Sequence, residues 1–160
     1  MTSHGLRVGL LWVLLLATLA IAASADFCED LQKVVDSSRQ GFAEVRGELV
    51  SDLVDPLSDR RVVWQCNSAF AGAKTCEVEW HRQAHAYNTF WHKQDEEANT
   101  ATYEALVELL EGCGLSRKQT SRSGRSLWLI SADNADLEIV LARNTRRVRL
   151  SFTVAGTLNP

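Results

Sequence analysis

Three histidines in a short segment have the residue type and spacing of a possible metal site. His81, His85 and His92 are separated by four and then seven residues, and on a helix these offsets would place all three within about 40° of one another. Imidazole nitrogens grouped in this way are typical zinc ligands. The flanking residues alternate as in β-strands, however, and on one strand His85 and His92 would point to opposite faces, about 23 Å apart. The pattern therefore favours surface or edge histidines over a metal site, and we expect no cofactor.

Two carboxylates form a second candidate site. Glu77 and Glu79 share one face of a predicted strand with His81, and paired acids of this kind can perform general acid–base catalysis. Alternating charges are also typical of the solvated side of an amphipathic strand, which is the interpretation we favour. The chain contains no P-loop, dinucleotide-binding G-x-G-x-x-G, EF-hand loop or G-x-S-x-G nucleophile elbow. The sequence thus favours a non-catalytic protein, with a metal-dependent enzyme using the three histidines as the alternative.

Charge is distributed unevenly along the chain, although the total is only −3. Residues 26–113 hold 8 basic and 17 acidic side chains, whereas residues 114–160 hold 8 basic and 3 acidic ones. A basic C-terminal part could bind an acidic partner protein, or these arginines could simply keep an edge strand soluble. An acidic total and the lack of interleaved aromatic residues argue against nucleic acid. The possible partner-binding residues are Arg117, Lys118, Arg122, Arg125, Arg143, Arg146, Arg147 and Arg149.

The N-terminal segment has the features of a signal peptide. Residues 8–22 are apolar and are followed by Ala23-Ser24-Ala25, an arrangement that signal peptidase accepts. The apolar run is shorter than the ~20 residues of a transmembrane helix. We therefore expect cleavage after Ala25, and a mature chain of residues 26–160 that forms a single α+β domain without a membrane span.

The four cysteines all lie in that mature chain, and an exported protein with an even number of cysteines is expected to form disulfides. Cys66 and Cys76 lie on neighbouring predicted strands near the mouth of a hairpin, which favours their pairing. Cys28 and Cys113 lie at the start of one predicted helix and the end of another, so antiparallel helices would bring them together. A zinc site is the competing use, but no C-x-x-C pair is present.

Hydrophobic periodicity predicts the elements that hold these residues. Apolar residues recur at helical spacing from Phe27 to Val45 and again from Asp95 to Cys113, whereas period-two alternation predicts strands. Residues 48–61 and 116–126 are predicted to be loops. The strands are predicted at 62–66, 76–81, 85–92, 127–131, 137–141 and 148–154. An even-numbered turn around residues 82–84 would place Tyr87 and Trp91 on the same face as Cys76 and Trp80.

These predictions define an α+β fold in which an antiparallel sheet packs against two helices, with the order α-β-β-β-α-β-β-β and two disulfides. Secretion-chaperone-like and other small folds share this layout, which by itself specifies no function. We expect a small protein-binding module, periplasmic or secreted, of the inhibitor, immunity or envelope-accessory type. A purely structural envelope component is a further possibility. We expect the partner to be another envelope or secreted protein, with an acidic protein as the candidate that the basic residues suggest.

Overall fold

The computed structural model describes residues 25–53, 60–92, 95–121, 124–132 and 135–156. The predicted signal peptide therefore lies outside the described residues, except for Ala25. In the first half, helix α1 (25–38) and a 3-10 turn (Ala43–Val45) precede β1 (Arg46–Leu53), β2 (Arg61–Cys66), β3 (Thr75–His81) and β4 (Ala84–His92). The second half contains α2 (Glu96–Gly112), β5 (Gln119–Ser121), β6 (Arg125–Ala132), β7 (Ala135–Arg143) and β8 (Arg147–Ala155).

The strands form one antiparallel sheet in the order β1-β2-β3-β4-β8-β7-β6-β5. The two helices cover one face of this sheet. The predicted fold class is confirmed, including the order of helices and strands, with one further strand at each edge of the sheet, β1 and β5. A two-residue turn joins β3 to β4, so Val78 pairs with Tyr87 and Trp80 with His85. The even-numbered turn that the sequence analysis favoured is thus the one observed.

The two halves are related by a pseudo-two-fold axis at the centre of the sheet. Thr75 pairs with Phe90 in the first half, and 63 residues later Glu138 pairs with Thr153 in the same way. Asn88 and Ser151, which are also 63 residues apart, pair with each other where β4 meets β8. The Ser151 hydroxyl donates a hydrogen bond of 2.7 Å to Asn88 Oδ1. The axis therefore passes between these two buried polar residues.

The predicted loop over residues 48–61 is wrong for its first six residues, which belong to β1. Among the described strands, this edge strand pairs with β2 alone, and its register shifts twice, between Arg46 and Leu49 and between Leu49 and Ser51. Its Leu49, Val50 and Leu53 side chains are each more than half exposed. Because the strand is bulged and faces solvent, its sequence lacks the clean alternation by which strands are predicted.

Helix α1 ends at residue 38, earlier than the predicted end at Val45. Gly41 and Phe42 have left-handed backbone angles, with φ of 61° and 64°, and this conformation cannot continue a right-handed helix. Phe42 is fully buried. Burial of this ring in the core offsets the cost of its unfavourable backbone conformation.

The core lies between the helices and the sheet. Helix α1 contributes Phe27, Leu31 and Val34, and α2 contributes Tyr103, Leu106, Val107 and Leu110. Phe70, from the loop between β2 and β3, lies among the rings of Phe27, Tyr87, Trp91 and Phe152. Side chains at alternate positions of the central strands complete the helix-facing layer.

Both predicted disulfides are confirmed. Cys28–Cys113 joins the start of α1 to the end of α2, with a Cα–Cα distance of 5.4 Å. Cys66–Cys76 joins β2 to β3, with a Cα–Cα distance of 5.7 Å. All four cysteines are therefore oxidised, and the alternative of a zinc site built from them is excluded.

Candidate functional site: an arginine-lined cleft at the β7–β8 turn

The turn between β7 and β8 is shaped by an asparagine. Asn144 Oδ1 accepts hydrogen bonds of 2.9 Å from the backbone N–H groups of Arg146 and Arg147. A short side chain that binds the backbone two or three residues further on is a common way to form a tight turn. The turn therefore fixes the direction in which β8 begins.

A cleft of about 210 Å³ opens beside this turn. Its described lining residues comprise three arginines, an amide and a methyl group, and include no carboxylate, hydroxyl, thiol or imidazole side chain. The lining residues are Ala142, Arg143, Asn144, Arg147 and Arg149. Such a set suits the binding of an anion and supplies neither a nucleophile nor a general base.

Arg147 and Arg149 lie on the helix-free face of the sheet, because they alternate with the buried Val148 and Leu150. The Arg147 guanidinium lies 5.0 Å from the centre of the Phe90 ring, so a cation–π contact helps to hold it in place. Both arginines are exposed, and within the described residues neither makes an ion pair with a carboxylate. Their positive charges are therefore available to an external anion.

Arg143 reaches the cleft from the helix-facing side of β7. Its Nη1 donates a hydrogen bond of 2.9 Å to Thr100 Oγ1 on α2, and it lies 4.0 Å from Glu96 Oε1. The guanidinium also lies 5.9 Å from the centre of the Tyr103 ring. Three contacts with one helix thus fix the position of this arginine before any ligand binds.

Two glutamates lie on the helix-free face of β3, across the centre of the sheet from the cleft. On the side away from the cleft, Arg61 donates two hydrogen bonds to the Glu79 carboxylate, at 2.8 and 3.1 Å. Glu77 is half-buried beside them. Burial raises the pKa of Glu77, and the neighbouring Glu79 carboxylate raises it further, while Arg61, Arg147 and Arg149 act in the opposite direction. The Glu77 carboxylate therefore lies close enough to the cleft to interact with two of its arginines.

Replacing Glu77 with glutamine is expected to stabilise the protein at about pH 7 by a few tenths of a kcal/mol, since solvent screens a half-buried group. Because the pKa of Glu77 is raised in the folded state, the unfolded chain ionises first. Wild-type stability then falls as the pH rises above the ordinary pKa of glutamate. The gain should disappear below about pH 4, where both states are protonated. Urea unfolding of the wild type and of Glu77→Gln across this pH range measures the difference in stability. Glu104→Gln, on the exposed side of α2, is the control. An equal gain at low and neutral pH would contradict the assignment.

The other predicted basic residues lie outside the cleft. Arg125 pairs in register with Ala142 on β7 and lies 3.7 Å from Glu138, and Arg146 is exposed in the turn itself. Arg117 forms a 2.9 Å ion pair with Glu111 near the end of α2, and Lys118 directly precedes β5. Arg122 lies outside the described residues. The structure therefore brings together three of the eight predicted residues.

The structure does not bring His81, His85 and His92 together. His85 and His92 lie near opposite ends of β4 and on opposite faces, and His85 is buried against Gly41 and Gly156. His81 ends β3 and pairs with Ala84. Within the described residues, no group of three histidine, cysteine or acidic side chains is arranged to hold a metal ion. The geometry therefore does not assemble the histidine cluster on which the metal-enzyme alternative depends.

Sequence reasoning did not identify Phe90, Thr100 and Tyr103 as part of this site. Phe90 lies on the opposite face of β4 from Tyr87 and Trp91, and no pattern in the sequence indicates that Arg147 packs on it. The register between β4 and β8 pairs Phe90 with Arg149 and so brings the Phe90 ring beside the arginines of β8. That register joins segments about 60 residues apart and is not encoded in local spacing.

The chain matches no protein-family model, no curated protein and no solved structure. Among the described residues, every helix is too short or too polar to cross a membrane. The two disulfides are consistent with an extracytoplasmic protein.

Proposed function

We propose that the protein is an exported, non-catalytic binding module that holds an acidic segment of a partner protein in the arginine-lined cleft. The observation that carries this proposal is that Arg143, Arg147 and Arg149 line one cleft that has no carboxylate among its described lining residues. Arginine forks bind carboxylates through two parallel hydrogen bonds, so aspartate and glutamate side chains suit this site.

The size and rigidity of the site support a side-chain ligand. A cleft of about 210 Å³ is smaller than the ~300–1,000 Å³ of pockets for drug-sized ligands, and one or two carboxylate side chains would fill it. Arg143 is fixed by Thr100 and Arg147 by Phe90. Because these guanidinium groups are already ordered, binding would cost less conformational entropy than it would on flexible arginines.

Export is part of the same proposal. The apolar segment ending in Ala23-Ser24-Ala25 would act as the signal peptide, and the disulfides would form in the periplasm or outside the cell. A chain with two cross-links and an ordered sheet would present the cleft on a rigid support. Such a platform suits an inhibitor, an immunity-type protein or an envelope accessory protein.

Replacing both Arg147 and Arg149 with alanine is expected to weaken binding of a fluorescent hexaglutamate peptide at least tenfold, because two charge-assisted contacts are lost. Fluorescence anisotropy at low salt measures the affinity, which should also fall as salt is added. Arg117→Ala is the matched control, since Arg117 already pairs with Glu111 away from the cleft. Equal affinity of the double variant and the wild type would refute the assignment of the cleft.

A further inference from the structure

One carboxylate of the helix-free face lies within reach of the arginine-lined cleft. Glu77 on β3 pairs in register with Asn88, and Asn88 pairs with Ser151 on β8, so these three residues form one row across the sheet. Arg149 lies two residues before Ser151 on the same face. Two strand spacings and two residues place the Cα atoms of Glu77 and Arg149 about 12 Å apart. Their long side chains can therefore interact across β4.

The Glu77 carboxylate is half-buried, yet no cation is paired with it among the described residues. The neighbouring Glu79 accepts both hydrogen bonds from Arg61, at 2.8 and 3.1 Å. Arg61, Arg147 and Arg149 attract the Glu77 charge over longer distances, while Glu79 repels it. Two of these three arginines line the cleft. Glu77 and a ligand in the cleft would therefore interact with the same guanidinium groups.

An ionised Glu77 would oppose the binding of an anion in the cleft. Its negative charge offsets part of the positive potential of Arg147 and Arg149, and it also repels the ligand directly. For two charges roughly 9 Å apart at a partly solvated surface, Coulomb's law gives an effect of about two- to fivefold on the binding constant. Protonated Glu77 carries no charge, so this opposition would disappear in acid.

Building on the proposed function, we propose that Glu77 makes the cleft sensitive to pH: its ionised carboxylate weakens the binding of an acidic segment, and its protonation strengthens that binding. Burial and the Glu79 charge raise the pKa of Glu77, so the change begins at a higher pH than for an ordinary glutamate. By linkage, a bound anion in turn favours the protonated form of Glu77. Glu77 thus regulates the cleft from beside it and does not contact the ligand.

Other charged groups on the same face also affect an anion in the cleft. His92 ends β4, where it pairs in register with Arg147, and protonation of this histidine would act in the same direction as protonation of Glu77. The remaining charged or titratable residues on this face of β2, β3, β4 and β8, within the described chain, are Arg61, Glu79, His81, Arg147 and Arg149, and Lys74 directly precedes β3. A comparison of the wild type with a Glu77 variant at the same pH isolates Glu77 from all of them.

The test is fluorescence anisotropy at low salt with a rhodamine-labelled peptide of six cysteic acid residues, whose sulfonate groups stay ionised in mild acid. The affinities of the wild type and of Glu77→Gln are compared at about pH 7 and at about pH 4. We expect the variant to bind about two- to fivefold more tightly than the wild type at neutral pH. The two proteins should bind equally at the lower pH, where Glu77 is protonated. Equal affinities at neutral pH, or an advantage of the variant that is the same at both pH values, would overturn the proposal.

Two further variants separate this regulation from other effects. Glu108→Gln removes the same charge from α2, on the other side of the sheet, and should bind the peptide as the wild type does. A gain as large as that of Glu77→Gln would show that net charge, and not Glu77, is responsible. The double variant Arg147→Ala/Arg149→Ala should bind the peptide at least tenfold more weakly than the wild type. Unchanged affinity of this double variant would refute the proposed function as well, whereas weak binding of it with no effect of Glu77→Gln would refute the regulation alone.

Discussion

Removing the Cys28–Cys113 disulfide by changing both residues to alanine is expected to lower the free energy of unfolding by roughly 4–5 kcal/mol. The cross-link joins residues 85 positions apart, so it restricts the unfolded chain far more than a local link would. It also joins the start of α1 directly to the end of α2. Guanidinium chloride unfolding of the oxidised wild type and the double variant measures the difference.

The second disulfide is the matched control for this prediction. Cys66–Cys76 spans only 10 residues, and the same loop-entropy relation assigns it about 3 kcal/mol. The two double alanine variants should therefore differ by 1–2 kcal/mol or so, with the Cys28–Cys113 variant the less stable. If removal of the short-range link proved the more damaging, packing of the loop between β2 and β3 would outweigh chain entropy.

Phe70→Ala is expected to cost about 3–5 kcal/mol of stability, the range found when a buried phenylalanine is truncated. The Phe70 ring is 2% exposed and lies in the core between α1 and the sheet. It stacks on Phe152 at a centroid distance of 6.0 Å and contacts Phe27 of α1 at 4.9 Å. Loss of the ring would leave a cavity lined by α1, the β2–β3 loop and the sheet. The surrounding side chains would relax only partly into this cavity.

Leu129→Ala is the control for this truncation, because Leu129 lies on the sheet but is 46% exposed. We expect its cost to be below about 1 kcal/mol, in line with an exposed position. Chemical unfolding of both variants gives the comparison. A cost for Phe70→Ala no larger than that of Leu129→Ala would mean that the β2–β3 loop does not pack as described.

Local patterns in the sequence were sufficient for the interior of the fold. Period-two alternation identified the central strands because their two faces differ: Val148, Leu150 and Phe152 are fully buried, whereas Arg147 and Arg149 are exposed. Both disulfides followed from the ends of predicted elements. These predictions succeeded because burial imposes a regular spacing on a strand or helix that packs on one side.

Elements at the boundaries of the fold could not be predicted in the same way. Strand β1 is bulged and solvent-facing, so its exposed Leu49, Val50 and Leu53 follow no simple period. Phe70 lies in a loop of small residues, and its burial depends on tertiary packing against both α1 and the sheet. No local pattern distinguishes such a residue from an exposed loop phenylalanine.

The candidate site was predicted only in part, for a related reason. The sequence showed that the C-terminal part is basic, but it did not show which arginines would meet. Arg143, Arg147 and Arg149 line one cleft because the Asn144 turn reverses the chain between β7 and β8. Arg117 is separated from them because Glu111 on α2 holds it. Which charged residues come together depends on the β7–β8 turn and on the strand register. Neither can be inferred from the amino-acid composition.

Strands β4 and β8 meet in the middle of the sheet as two identical subunits would meet at an isologous dimer interface. In a true homodimer, every substitution appears at both equivalent positions, so the halves must stay alike. Here they belong to one polypeptide and are free to diverge: position 80 is tryptophan and its counterpart Arg143 is arginine. Fusion into a single chain thus allows one symmetric architecture to carry two ends of different chemistry.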